Sequence, residues 1–184
     1  MARLEVPRPA TFVTLTGFMG VGKSRIGREL ARALMLHFID LDRYIERRTG
    51  ISIPDIFRHL GEEAFRRMEK EAVRELVGKD YLVLSLGGGT FMDPESQQAP
   101  LGRGPAGARW AGPEAGLESA ARKPGERPLL QVENPLERIR TLLEARAPIY
   151  RKAHIHVSTD GRRVEEVVEE IVEKLWRHAE ARGA

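Results

Sequence analysis

Eight consecutive residues, Gly17-Phe18-Met19-Gly20-Val21-Gly22-Lys23-Ser24, restrict what this chain can fold into more than any other stretch. They satisfy the pattern G-x-x-x-x-G-K-[ST] in full. The flanks supply the context that pattern needs. Before it, Thr11 to Thr16 alternates and is rich in β-branched residues, which predicts a buried strand. After it, Ile26 to Leu36 is apolar at Ile26, Leu30, Ala33 and Leu34, which predicts a helix. A strand passing through a glycine-rich turn into a helix directs backbone N–H groups inward and adds the partial positive charge of the helix N-terminus. Such a loop cradles phosphate oxygens. Gly20, Val21 and Gly22 belong to the cradle, Lys23 reaches the β- and γ-phosphates, and Ser24 offers its hydroxyl to Mg²⁺.

The remaining pattern extends that strand–helix unit. A second strand is predicted at His37 to Leu41, short helices at Tyr44 to Arg48 and Pro54 to Phe57 around Gly50, and a longer helix at Glu62 to Val77. A third strand at Tyr81 to Leu86 ends in Gly87, Gly88 and Gly89. Further on come a helix at Pro135 to Leu143, a strand at Ala153 to Ser158 and an amphipathic helix at Val164 to Trp176. Alternating strands and helices predict a parallel sheet covered on both faces. Ala99 to Pro128 breaks the rhythm, being dominated by Ala, Gly and Pro. Glycine weakens a strand interior, so composition there says loop. The alternation requires a strand, and Ala106 to Trp110 is assigned as a poor one.

Composition excludes several classes. At 184 residues and 41% hydrophobic, the chain suits one domain with one core, spanning residues 1–184. Its net charge is only +3 and its aromatic content 6%, with basic residues interleaved among Glu, so no stripe for nucleic acid is present. The absence of cysteine excludes disulfides and thiol catalysis. Residues 1–10 lack a secretory apolar region, and no apolar run reaches the ~20 residues of a membrane span. A cytoplasmic monomer with no membrane partner is expected. Asn134 is the sole asparagine, a bias that fits either a thermophilic source or GC-rich coding.

A phosphate cradle alone does not name a reaction. Asn134 is followed by Pro135, so the Asn-Lys-x-Asp guanine motif is missing. The strand at Tyr81 to Leu86 ends without the acidic residues of a motor ATPase. Asp40-Leu41-Asp42 stands at the end of the second strand, where parallel sheets open onto a ligand crevice. One carboxylate could serve Mg²⁺ through water and the other accept a proton from an attacking hydroxyl. Asp42 also suits a helix cap, and Arg66 a solvated partner of Glu one turn away.

In order and spacing, Gly17–Ser24, Asp40-Leu41-Asp42, Phe65-Arg66-Arg67-x-Glu69, Leu86-Gly87-Gly88-Gly89, Arg127-Pro128-Leu129-Leu130 and Arg146-Ala147-Pro148-x-Tyr150 resemble the shikimate kinase family, from Thr11 to Trp176. The resemblance implies an α/β three-layer sandwich with a central parallel sheet, of P-loop NTPase and nucleoside-monophosphate-kinase type. It implies an acceptor-binding segment near residues 43–72 and a mobile lid near 119–132. It further implies transfer from ATP, with Mg²⁺, to the 3-hydroxyl of shikimate, a step of aromatic amino-acid biosynthesis. Lys23, Asp42 and Arg127 would be catalytic, Arg127 riding on the lid. Ser24 and Asp40 would serve the metal, and Ser85 stands where related enzymes carry an acidic residue. Asp42, Phe57, Phe65, Arg66, Gly87, Gly88, Gly89 and Arg146 would form the shikimate site, the two arginines gripping its carboxylate. Arg25, Arg122 and Arg163 would join the cradle in contacting nucleotide. Arginine's planar fork suits a carboxylate in a way lysine does not. A related small-metabolite kinase, such as a gluconate kinase, is the nearest alternative, and a non-catalytic nucleotide-binding module a more distant one. The sequence departs from the family at residues 104–117, where Ala and Gly replace expected apolar residues.

Overall fold

A computed structural model describes residues 7–17, 23–87, 89–110 and 134–183. β1 (Phe12–Gly17) leads to α1 (Lys23–Leu34), β2 (His37–Asp40), α2 (Leu41–Thr49) and α3 (Ile53–Leu76). β3 (Leu82–Ser85), a single 3-10 turn (Thr90–Met92), α4 (Pro94–Arg103) and β4 (Ala106–Trp110) follow. The described part ends with α5 (Pro135–Tyr150), β5 (Ile155–Ser158) and α6 (Val164–Ala181). The five strands lie in the order β2-β3-β1-β4-β5, and every pairing is parallel. This is the three-layer α/β arrangement expected from the alternation.

Alternation along the central strands divides the interior into two cores. Phe12, Leu82 and Leu84 point to one face and pack with Leu41, Ile45, Ile56, Phe65, Val73 and Leu76 of α2 and α3. Val13, Leu15 and Val83 point to the other and pack with Leu30 and Leu34 of α1 and with Ile171 and Leu175 of α6. Strands buried on both faces read as continuous apolar runs, which is how Leu82 to Leu84 of β3 look in sequence, whereas β1 buries Thr14 and Thr16 among its apolar residues.

One expectation needs correcting, and two are filled out. Asp40 and Asp42 are not neighbours on a strand, because α2 begins at Leu41. The cap is Asp40, whose carboxylate accepts from the N–H groups of Asp42 and Arg43, so Asp42 lies in the first helical turn and does not cap. The two helices predicted near 54–57 and 62–77 both form, meeting within α3 at a kink where Gly61 has φ 86° and ψ 165°. The Ala/Gly/Pro-rich stretch is more ordered than its composition suggests. It opens inside α4, which Asp93 caps by accepting from Ser96 N–H at 2.9 Å. It then forms β4, paired with β1 and β5. Glycine is required at the bend: a Cβ on Gly104 would lie 2.3 Å from the Phe12 carbonyl oxygen. The helix expected after β4, with residues 111–133 in general, lies outside the described residues.

Candidate active site

The carboxyl ends of the parallel strands bring the candidate residues to one side of the sheet, where open α/β sheets bind ligands. Gly17 ends β1, directly before the cradle. Gly20, Val21 and Gly22 lie outside the described residues, and Lys23 opens α1. Ser24, one residue into that helix, donates its hydroxyl to Asp40 Oδ2 at 2.9 Å. Strand register places Asp40 opposite Ser85 of β3, which in turn lies opposite Leu15 of β1. A hydroxyl and a carboxylate are thus held side by side next to the cradle. Hard oxygen donors of this kind, completed by water and phosphate, are what Mg²⁺ accepts.

The acceptor side is built on α2, α3 and the turn after β3. Gly87 marks the point of convergence. A Cβ built there would lie 3.0 Å from Asp42 Oδ1, 3.1 Å from Thr90 Oγ1 and 3.4 Å from Glu69 Oε2. Gly89 has the guanidinium of Arg66 against it, with Nη2 2.6 Å from an added Cβ. Arg66 and Arg146 line one cleft of about 410 Å³ together with Gly89 and Thr90. Arg146 is only 5% exposed, which excludes a merely solvated cation near a helix end. Phe57 and Phe65 stack at 5.0 Å between ring centres, and the Arg66 guanidinium sits 5.3 Å from the Phe65 ring. Phe65, at 4% exposed, belongs as much to the core as to the site.

Arg66 is held by two carboxylates, Glu69 Oε1 at 2.5 Å and Glu62 Oε1 at 3.4 Å. Burial works against its charge, yet Glu69 and Glu62 raise its pKa above the ordinary value. Burial pushes Glu69 up from the usual carboxylate range. The Arg66 guanidinium and the Thr90 hydroxyl pull it back in part, and the charge of Asp42 adds to the rise. Sequence reasoning gives neither Glu69 nor Thr90 a role. An Arg and a Glu three residues apart on a helix normally form a surface pair, and nothing in spacing alone reveals that this Glu is 2% exposed.

The other nucleotide-contact candidates are less enclosed. Arg25 is exposed on α1. Arg163 precedes α6, with Nε donating to Glu166 at 3.1 Å. Arg122, Arg127, Gly88 and the expected lid lie outside the described residues.

Comparison with known proteins identifies the family to which the chain is similar. A family model described as shikimate kinase matches residues 19–176. A shikimate kinase of Thermus thermophilus is 95% identical over 184 residues, covering 100% of both chains. A solved structure, the shikimate kinase of Acinetobacter baumannii in complex with shikimate, has a TM-score of 0.88 and 36% identity, covering 92% of this chain and 94% of the other. A gluconokinase from Sinorhizobium meliloti, at a TM-score of 0.60 and 16% identity over 95% of this chain and 97% of its own, shares the fold alone.

Proposed function

Because the chain belongs to the shikimate kinase family, we propose how its residues divide the work of moving a phosphoryl group from ATP to shikimate. The activity itself, ATP-dependent phosphorylation of shikimate within aromatic amino-acid biosynthesis, follows from the family and from near-identity over the full length. Lys23 and the N–H groups of the cradle hold the transferring phosphates. Asp42 orients the 3-hydroxyl and accepts its proton. Arg66 and Arg146 take the carboxylate, with Phe57 and Phe65 beneath the ring and the backbone at Gly87 to Gly89 closing over it. Arg127, Arg122, Arg25 and Arg163 are assigned to the nucleotide, Arg127 from the lid. Ser24 and Asp40 would hold Mg²⁺, which when bound neutralises charge on the phosphate oxygens. A lid that excludes water would keep ATP from idle hydrolysis. The working form is taken as a cytoplasmic monomer.

One observation carries this assignment: Arg66 and Arg146, eighty residues apart in sequence, line a single cleft beside Gly89 and Thr90. Two guanidinium groups converging on one cavity suit a carboxylate ligand. The test is coupled ADP release with shikimate, gluconate or AMP as acceptor. Shikimate should exceed the others by at least ~100-fold, because an unfilled charged clamp costs the wrong acceptor several kcal/mol. Equal rates with gluconate would remove the acceptor assignment.

A further inference from the structure

The acceptor's clamp rests on an acid that is itself buried. Glu69 lies on α3 one turn beyond Arg66 and is 2% exposed. Its Oε1 takes the Arg66 guanidinium, and its Oε2 accepts from the hydroxyl of Thr90. Thr90 is 1% exposed, and its own N–H is held by the Gly87 carbonyl at 3.2 Å. The hydroxyl has one proton, and it points at Glu69. We propose that Thr90 is a positioning residue that keeps Glu69 ionised, and that ionised Glu69 holds Arg66 in place for the acceptor's carboxylate. Acceptor affinity then has an acid limit that Thr90 sets. The proposal rests on the functional reading above.

The physical case follows from burial. A carboxylate removed from water favours its neutral form unless donors compensate. Among the described residues the compensating groups are two, Arg66 on the same helix and Thr90 on the turn after β3. Asp42 of α2 acts in the opposite direction, adding negative charge. Around them, Glu62 shares Arg66. Arg146 of α5 lines the same cleft, and Lys70 pairs with Asp93 at 3.0 Å at its edge. Without the Thr90 hydroxyl, Glu69 Oε2 would lose a donor at a site this closed to solvent. Glu69 would then bind a proton at higher pH. Once it is neutral, the carboxylate left to Arg66 among the described residues is Glu62, whose side chain is 55% exposed and holds a partner weakly. Arg66 would leave its seat against Gly89, and binding rather than chemistry would suffer.

The experiment measures kcat and shikimate KM across pH for wild type, Thr90→Val, Thr90→Ser, Glu69→Gln and the Glu69→Gln/Thr90→Val pair. In wild type KM should climb toward the acid end. In Thr90→Val the climb should begin at higher pH, with KM about tenfold above wild type near pH 6 and kcat within about threefold, the loss expected for one hydrogen bond to a charged group. Thr90→Ser should restore the wild-type profile. Glu69→Gln should give a high KM that no longer varies with pH, and adding Thr90→Val should change nothing further. A Thr90→Val profile that overlays wild type overturns the proposal, as does an equal KM increase in the Glu69→Gln background. If the valine variant does not fold, Thr90→Ala against Thr90→Ser decides the same question. Wild type without shikimate-dependent ADP release would overturn the functional reading and this proposal together, whereas an active wild type with an unshifted variant overturns this proposal alone.

Discussion

Asp40 and Asp42 are two residues apart and have separate tasks. Asp40 caps α2 with one oxygen and meets the Ser24 hydroxyl with the other. Asp42, relieved of capping, stands beside Gly87 and Thr90 on the acceptor side. Its replacement therefore tests chemistry with little structural cost. Asp42→Asn should lower kcat by about 10²–10⁴, the worth of a positioned general base. Its thermal midpoint should stay nearly unchanged, since a first-turn carboxylate contributes only some tenths of a kcal/mol through the helix dipole. Measuring both on one preparation decides the matter, and activity within about threefold of wild type would leave the base unassigned. The motif residues themselves are legible because their types and spacing are dictated by phosphate and carboxylate chemistry. What spacing does not reveal is enclosure. Glu69 stands in a motif without a role there, and Thr90 in none, because their importance lies in being walled off from water by residues distant in sequence.

Among the elements, α3 carries the clearest break in backbone conformation. Gly61 has φ 86° and ψ 165°, a region that only glycine enters readily. It lets the half bearing Phe57 and the half bearing Phe65 and Arg66 run on from one another at an angle. A Cβ at Gly61 would meet nothing within 4 Å, so the penalty of Gly61→Ala is purely one of backbone conformation. It should destabilise by about 1–3 kcal/mol, read as a lower urea midpoint at constant slope. A variant as stable as wild type would mean that the break is not required. The sequence foretells this break as two helices, since glycine is a poor helix former. It also places β4 at Ala106–Trp110, from the alternation and against the composition. Gly104 and Gly107 look like strand breakers, yet backbone pairing to β1 and β5 does not depend on side chains, and the close approach to Phe12 excludes a larger residue. Helix α4 is hard to read although Asp93-Pro94 is a sound start signal, because Pro100 and few apolar residues hide its period.

The whole molecule has two ends, and the one opposite the ligands also titrates. His154, just before β5, packs its ring 4.8 Å from that of His178 near the end of α6. Burial, then the neighbouring charges of His178 and Arg182, lower the His154 pKa below its ordinary value of 6.5. For a depressed group the contribution to stability is complete above the unfolded value and is lost as pH falls through the folded one. The thermal midpoint should therefore decline below about pH 6.5, and His154→Gln should flatten that decline. Glu69, displaced upward, acts with the opposite sign and is common to both proteins, so the difference between them isolates the histidine. Identical slopes would show that the pair is indifferent to charge. The division of the interior has a consequence for descent. Among the described residues, the core beneath α1 and α6 contains none of the acceptor residues. A lineage can exchange Ile171 or Leu175 there without repacking the helices that carry Asp42 and Arg66, although α1, which carries Lys23 and Ser24, borders the same core. The opposite core holds Phe65 in the same layer as Leu41 and Ile56, on the very helices that carry Asp42 and Arg66. A substitution on that side shifts packing and catalysis together, so fewer paths remain open to it. Relatives should accordingly diverge faster on one side of the sheet than on the other, two histories written into one short chain.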